Sequence, residues 1–320
     1  MGFKLLGTRQ FLQIIIMFMI VQFFGLFLIA LQFNDISISA VNTTSVITSP
    51  QTAVYFVIYI IIATIILLFV MKKFKNIFSL LETFVIFLTG FYFFMELLSP
   101  LAISDTLSYV ILALAFILGI SLILIKRKWA KTRNMVAMIS AIGFGTVLGM
   151  GFSFEIALAF MGIMAVYDFV SVFITKHMVK LANAAIENNL ALLVDSTEVE
   201  AVPKKSLSKE QMKQYNDMKK EEPKNGKNTK IIKEMDKKGY ALIPSSSALG
   251  TGDMIFPLMV AVSAFKVHYN FVLSIFIVIG SIFGLLLTMF ILNKYKRALP
   301  AIPPLLFGIL VFLLIYYLIF

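Results

Sequence analysis

Charge in this chain is confined to the gaps between long apolar runs. Nine stretches of roughly 20 residues, the length that spans ~30 Å of hydrocarbon, are nearly free of Asp, Glu, Lys and Arg. They are residues 11–32, 52–71, 77–98, 106–125, 135–152, 155–176, 247–266, 271–292 and 300–320. In lipid, backbone amides and carbonyls must be satisfied within the protein, so a chain patterned this way folds as a bundle of membrane-spanning helices. The expected fold is therefore an all-α membrane protein of nine transmembrane helices. Only 14% of the 320 residues are charged, against about 25% in a soluble protein. The first run is too long for a signal-peptide core and no small-residue cleavage site follows it, so it reads as a retained helix. The fifth is glycine-rich (Gly143, Gly145, Gly149, Gly151), which suits close packing against a neighbour.

The chain contains no cysteine, which excludes disulfides, thiol catalysis and thiolate metal sites. Its two histidines, His177 and His268, sit at the ends of apolar runs. No metal site and no cofactor is expected.

The net charge of +11 is distributed by position. Lys4 and Arg9 precede the first run, and Lys72, Lys73 and Lys75 follow the second. Lys126, Arg127, Lys128, Lys131 and Arg133 follow the fourth, and Lys294, Lys296 and Arg297 follow the eighth. The connection after the sixth is lysine-rich. The remaining connections hold one cation, Lys266. Positive charge thus alternates sides, which places the N-terminus in the cytoplasm and the C-terminus outside. Membrane orientation accounts for the basic balance, and no nucleic-acid partner is expected.

Three regions follow. Residues 1–176 form a six-helix membrane region, 177–246 a polar, mobile cytoplasmic loop, and 247–320 a C-terminal three-helix region. The loop is rich in Lys, Glu, Asn and Ser and too poor in apolar residues to form a core of its own. Ser208–Lys220 is its one candidate surface helix.

The acids can be sorted one by one. Of 17 Asp and Glu residues, ten lie between Glu187 and Asp236 in the polar loop. Asp35, Asp105 and Glu155 lie in or beside external turns. Glu96 is near the external end of the third run and Glu82 near its cytoplasmic end. Asp168 and Asp253 remain as the deep pair, each about eight residues, or ~12 Å of helix, from the cytoplasmic side. A carboxylate near the bilayer centre costs ~2.5–3.5 kcal/mol on insertion scales, so such residues mark function.

Two neighbouring patterns strengthen the pair. Gly250 and Gly252 flank Thr251 just before Asp253, where their missing side chains open the backbone to water or to an extended peptide. Pro257 then interrupts the helical ladder. At the start of the ninth run, Leu299-Pro300-Ala301-Ile302-Pro303-Pro304 removes three amide donors. Irregular backbone at membrane depth is tolerated only against protein or a wet cavity, so this segment is expected at the same site as the aspartates.

Together, Tyr167-Asp168, Gly250-Thr251-Gly252-Asp253 and Leu299-Pro300-Ala301-Ile302-Pro303 resemble the Tyr-Asp, Gly-x-Gly-Asp and Pro-Ala-Leu motifs of the presenilin and signal peptide peptidase family of intramembrane aspartyl proteases. Ile302 stands in the leucine position of the last motif. The helix number and the long loop between the sixth and seventh helices fit as well, so the resemblance covers the whole chain. The orientation is that of presenilins, and the short chain looks closest to their microbial, archaeal homologues. Prepilin peptidases share Gly-x-Gly-Asp but not the Pro-Ala-Leu element.

The resemblance implies an aspartic endopeptidase of the cell membrane that cuts transmembrane helices of other proteins. Asp168 and Asp253 are its catalytic pair. Tyr167, Gly250, Thr251, Gly252, Leu299, Pro300, Ala301, Ile302 and Pro303 shape the site or touch substrate. The chain is expected to work in the bilayer without an obligate protein partner, with self-association left open. Two close carboxyls share one proton and titrate as a pair. The rival reading is a proton- or cation-coupled secondary transporter using the same aspartates; it explains the combined motifs less well, and no inverted repeat is visible.

Overall fold

A computed structural model describes residues 8–32, 75–129, 132–174, 191, 193–203, 239–268, 271–295 and 299–320, with Tyr55, Ile58, Ile62 and Met212 as single residues. Its elements are α1 (Thr8–Leu31), α2 (Lys75–Leu98), α3 (Asp105–Lys128), α4 (Arg133–Gly151), α5 (Phe154–Phe173), β1 (Leu193–Pro203), β2 (Tyr240–Gly250), α6 (Thr251–His268), α7 (Phe271–Tyr295) and α8 (Ile302–Ile319). Seven of these helices are long and apolar enough to cross a membrane. The other is α6, which carries Asp253 and Lys266.

Each described helix coincides, within a few residues, with one of the apolar runs. The run 52–71 lies outside the described residues apart from Tyr55, Ile58 and Ile62, which are helical and exposed. His177, the cations Lys4, Lys72, Lys73, Lys131, Lys296 and Arg297, and Ser208–Lys220 apart from Met212 also lie outside them. The start of the seventh helix is corrected. The run was read as helical from 247, but residues 247–250 belong to β2 and the helix begins at Thr251. β1 lies within residues 177–246 and β2 begins there, and the two pair in a two-stranded sheet. The β1 sequence is rich in Val and Thr, residues that fit a pleated strand, and Pro203 ends it.

The chain divides into two compact units. One comprises Met1–Ile14 and Asp195–Ala248; within it the Ser196 hydroxyl donates to Oε1 of Gln13. The other comprises Ile15–Val194 and Leu249–Phe320, and everything below concerns it.

Its burial pattern is that of a bundle in lipid. On the outer helices, small or polar side chains share the inward face while large apolar ones also cover the outward face. In α5, Asp168 and Ser171 are buried while Val166 and Phe169 are exposed. In α3, Ala115 and Gly119 are buried while Tyr109 and Ile117 are exposed. Such apolar faces along successive helices suit hydrocarbon rather than water.

At the centre stands α6, in contact with α4, α5, α7 and α8. From Pro257 to Phe265 every one of its residues is buried. The glycines of α4 permit its close approach. A Cβ on Gly149 would come within 2.5 Å of the Val262 side chain, and one on Gly145 within 2.8 Å of Leu258. Further along, Nζ of Lys266 donates to the carbonyls of Met150 at 2.7 Å and Phe152 at 2.5 Å. Helix C-termini leave carbonyls without intrahelical donors, and here a lysine from α6 closes the end of α4. The one cation in the connections read as external therefore has a packing role.

Candidate active site

Asp168 lies on the buried face of α5, 5% exposed, and Asp253 is half-buried in the first turn of α6. The helices pack together, as do α5 and α8. Each carboxyl is held by the main chain of a different motif.

Oδ2 of Asp253 accepts the amide of Gly250 at 3.2 Å. The geometry follows from the strand-to-helix junction. β2 ends at Gly250 and α6 starts at Thr251, so Asp253 is the third residue of the helix and its side chain folds back over the opening turn. A Cβ at position 250 would lie 3.1 Å from Asp253 Oδ2. Gly252 is less constrained: a Cβ there would meet only the Phe256 ring at an ordinary 3.6 Å.

Oδ2 of Asp168 accepts the amide of Ile302 at 3.2 Å. The prolines account for this focus. With Pro300, Pro303 and Pro304 lacking N–H groups, Ala301 and Ile302 are the only residues from 300 to 304 able to donate. Ile302 opens α8 with Pro303 and Pro304 behind it, and Ala301 is its N-cap residue. Amides at a helix N-terminus have no intrahelical acceptor and favour an anion. Pro300, Ala301 and Ile302 are buried, and Leu299 and Pro303 half-buried.

Tyr167 is half-buried beside Asp168 but one step, about 100°, round the helix from it. Thr251 faces away from Asp253. With Ile255 it lines a cavity of about 50 Å³ whose other walls include Glu82, Thr89, Ser140 and Phe144. Six of the eleven expected residues sort by their contacts. Asp168 and Ile302 are joined by a hydrogen bond, as are Asp253 and Gly250, while Thr251 and Gly252 lie to one side.

The sequence reading placed Glu82 and Glu96 near the ends of the third run and did not single out Gln22, yet all three make hydrogen bonds within the bundle. Glu82 is buried, forms an ion pair with Lys126, and accepts the amide of Ala191 at 2.5 Å. Glu96 accepts the Thr146 hydroxyl at 2.7 Å, joining α2 to α4. Gln22 of α1 is fully buried and donates from Nε2 to the carbonyl of Met254 at 2.9 Å. A glutamine in the middle of an apolar run was itself the signal, since a polar side chain there needs a partner.

The family described as signal-peptide peptidase, presenilin aspartyl protease matches residues 15–320. Two solved structures, both described as a presenilin family intramembrane aspartate protease, share the fold. The one in space group P2 has a TM-score of 0.60 at 18% identity, over 97% of this chain and 98% of that one. The one in C222 has a TM-score of 0.58 at 18% identity, over 95% of each chain. No curated protein matches the chain.

Proposed function

This chain belongs to the signal-peptide peptidase and presenilin family of aspartyl proteases, and we propose that it hydrolyses peptide bonds within transmembrane helices of other membrane proteins, with Asp168 and Asp253 as the catalytic pair. It is a multi-pass membrane protein and an aspartic endopeptidase. The observation that carries the catalytic assignment is the shared neighbourhood of the two carboxyls. They stand on helices that pack together, each held by a main-chain amide of a neighbouring motif.

The chemistry follows from two carboxyls sharing one proton. The ionised carboxylate takes a proton from a water while the water oxygen bonds to the scissile carbonyl carbon. The protonated carboxyl gives its proton to the carbonyl oxygen, and a neutral gem-diol results. On collapse the C–N bond breaks. The leaving nitrogen takes the proton first removed from water, and a gem-diol hydroxyl returns its proton to the other carboxylate. The pair ends as it began, with one proton.

A helical substrate hides its carbonyls in its own ladder, so it must be extended where it is cut. Gly250, Gly252 and the segment Leu299–Pro303 offer main chain with few side chains in the way. We assign Tyr167 to packing or hydrogen bonding beside the extended substrate, and Thr251 to the shape of the opening turn of α6 that presents Asp253. The reading includes nine spans with the N-terminus cytoplasmic and the C-terminus outside, a polar cytoplasmic loop over 177–246, and activity without an obligate partner.

The test is incubation of purified protein in lipid vesicles with a labelled single-span substrate. Wild type should release two fragments, and Asp168→Ala and Asp253→Ala should release none while remaining folded. Cleavage persisting in either variant removes the assignment.

A further inference from the structure

We propose that Gln22 is a positioning residue for Asp253, acting through the main chain of α6; the proposal rests on the catalytic reading above. Nε2 of Gln22 donates to the carbonyl of Met254, the residue after Asp253, at 2.9 Å. An amide oxygen cannot donate to a carbonyl, so the nitrogen is the end that faces Met254.

The bond lies where α6 has least support of its own. Pro257 has no N–H to offer the carbonyl four residues before it, which is that of Asp253. Asp253 also sits in the opening turn, whose amides have no intrahelical acceptors. The neighbouring carbonyl is where a side chain from another helix takes hold. The approach of that helix is built in as well: a Cβ on Gly25, three residues beyond Gln22, would come within 2.4 Å of the Leu258 side chain. α1 and α6 therefore touch at two consecutive turns, one through an amide and one through a glycine.

Stability does not explain a glutamine here. Gln22 is 0% exposed, and its Oε1 has no hydrogen-bond partner among the described residues. A buried amide that satisfies only one end loses to an apolar side chain of similar volume. What the glutamine adds is a fixed direction for the main chain that carries Asp253.

The experiment compares wild type, Gln22→Leu, Gln22→Glu and Asp253→Ala in vesicles, reading kcat, KM, Tm and the pH profile. Leucine removes the donor and keeps the volume. Its kcat should fall roughly ten-fold, the scale of one hydrogen bond. KM should stay within about two-fold and Tm should equal or exceed that of wild type. Glutamate donates to the Met254 carbonyl only while protonated. Gln22→Glu should therefore outrun Gln22→Leu at acid pH and lose that advantage as pH rises. The proposal is overturned if Gln22→Leu keeps the wild-type kcat, if its kcat falls only in step with a falling Tm, or if Gln22→Glu is no faster than Gln22→Leu at any pH. Failure of the underlying reading looks different: Asp253→Ala would then cleave like wild type, whatever the Gln22 variants do.

Discussion

The main-chain amide of Ile302 donates to Oδ2 of Asp168 across 3.2 Å, joining the first turn of α8 to the C-terminal half of α5. This bond defines what the proline-rich segment contributes. Prolines at 300, 303 and 304 silence three of five consecutive amides, and one of the two left, that of Ile302, bonds to the Asp168 carboxyl.

Side-chain volume at position 301 should therefore matter more than at 302. Ala301 is 7% exposed at the N-cap of α8. Leucine there has to push α8 away from α5, at a cost of about 1–3 kcal/mol for an overpacked site. Ala301→Leu should lower kcat at least ten-fold and weaken binding of a transition-state isostere. Ile302→Leu keeps volume and amide and should stay within about two-fold of wild type. Equal rates in steady-state assays of Ala301→Leu and wild type would reduce the segment to a helix start.

The two glycines before Asp253 should respond unequally. Both accept alanine without backbone strain, since Gly239 is the only glycine with positive φ among the described residues. At 250 the added methyl meets Asp253 Oδ2 at 3.1 Å, tighter than ordinary contact and directed at the proposed catalytic carboxyl. At 252 it meets a phenylalanine ring at 3.6 Å. Gly250→Ala should cut kcat roughly ten-fold or more, since small displacements of a catalytic group are costly, whereas Gly252→Ala should change it less than three-fold. Parallel kinetics on the two variants decides the matter, and a larger loss at 252 would contradict the geometry.

Hydropathy period and charge placement made the helices legible, because lipid leaves few other solutions. The aspartates were legible because charge in an apolar run is expensive. The junction at Gly250 was not. The run before it, rich in serine and alanine, has no strand pattern, and β2 forms by pairing with β1, some 40 residues earlier in the chain. The role of the prolines was half legible. They suggested carbonyls left without donors, but the structure puts the emphasis on the Ile302 amide that they leave in place. Gln22 was visible as a polar residue in the first run, but its partner 232 residues away was not.

Orientation has its own test. The absence of cysteine lets single cysteines be introduced at Ser206 and His268 without background. An impermeant thiol reagent on intact cells should label position 268 and spare 206. Lys266, the one cation on the side read as external, is engaged by the carbonyls of Met150 and Phe152, so it does not weigh against the positive-inside placement. Labelling at 206 with protection at 268 would invert the topology.

Dependence on pH should reveal the pair as a pair. Like charges close together in a medium of low dielectric do not both ionise, so the working form holds one proton between Asp168 and Asp253. As pH falls, the remaining carboxylate is protonated and can no longer take a proton from water. As pH rises, the shared proton leaves and nothing remains to donate to the carbonyl oxygen. Activity should therefore pass through a maximum, and both limbs belong to the two residues together. Asp253→Asn should remove activity at every pH rather than shift one limb, because a single carboxyl cannot act as acid and base at once. A profile of kcat/KM that stays flat from acid to neutral pH, or an Asp253→Asn variant that recovers at any pH, would be incompatible with a proton shared between the two aspartates.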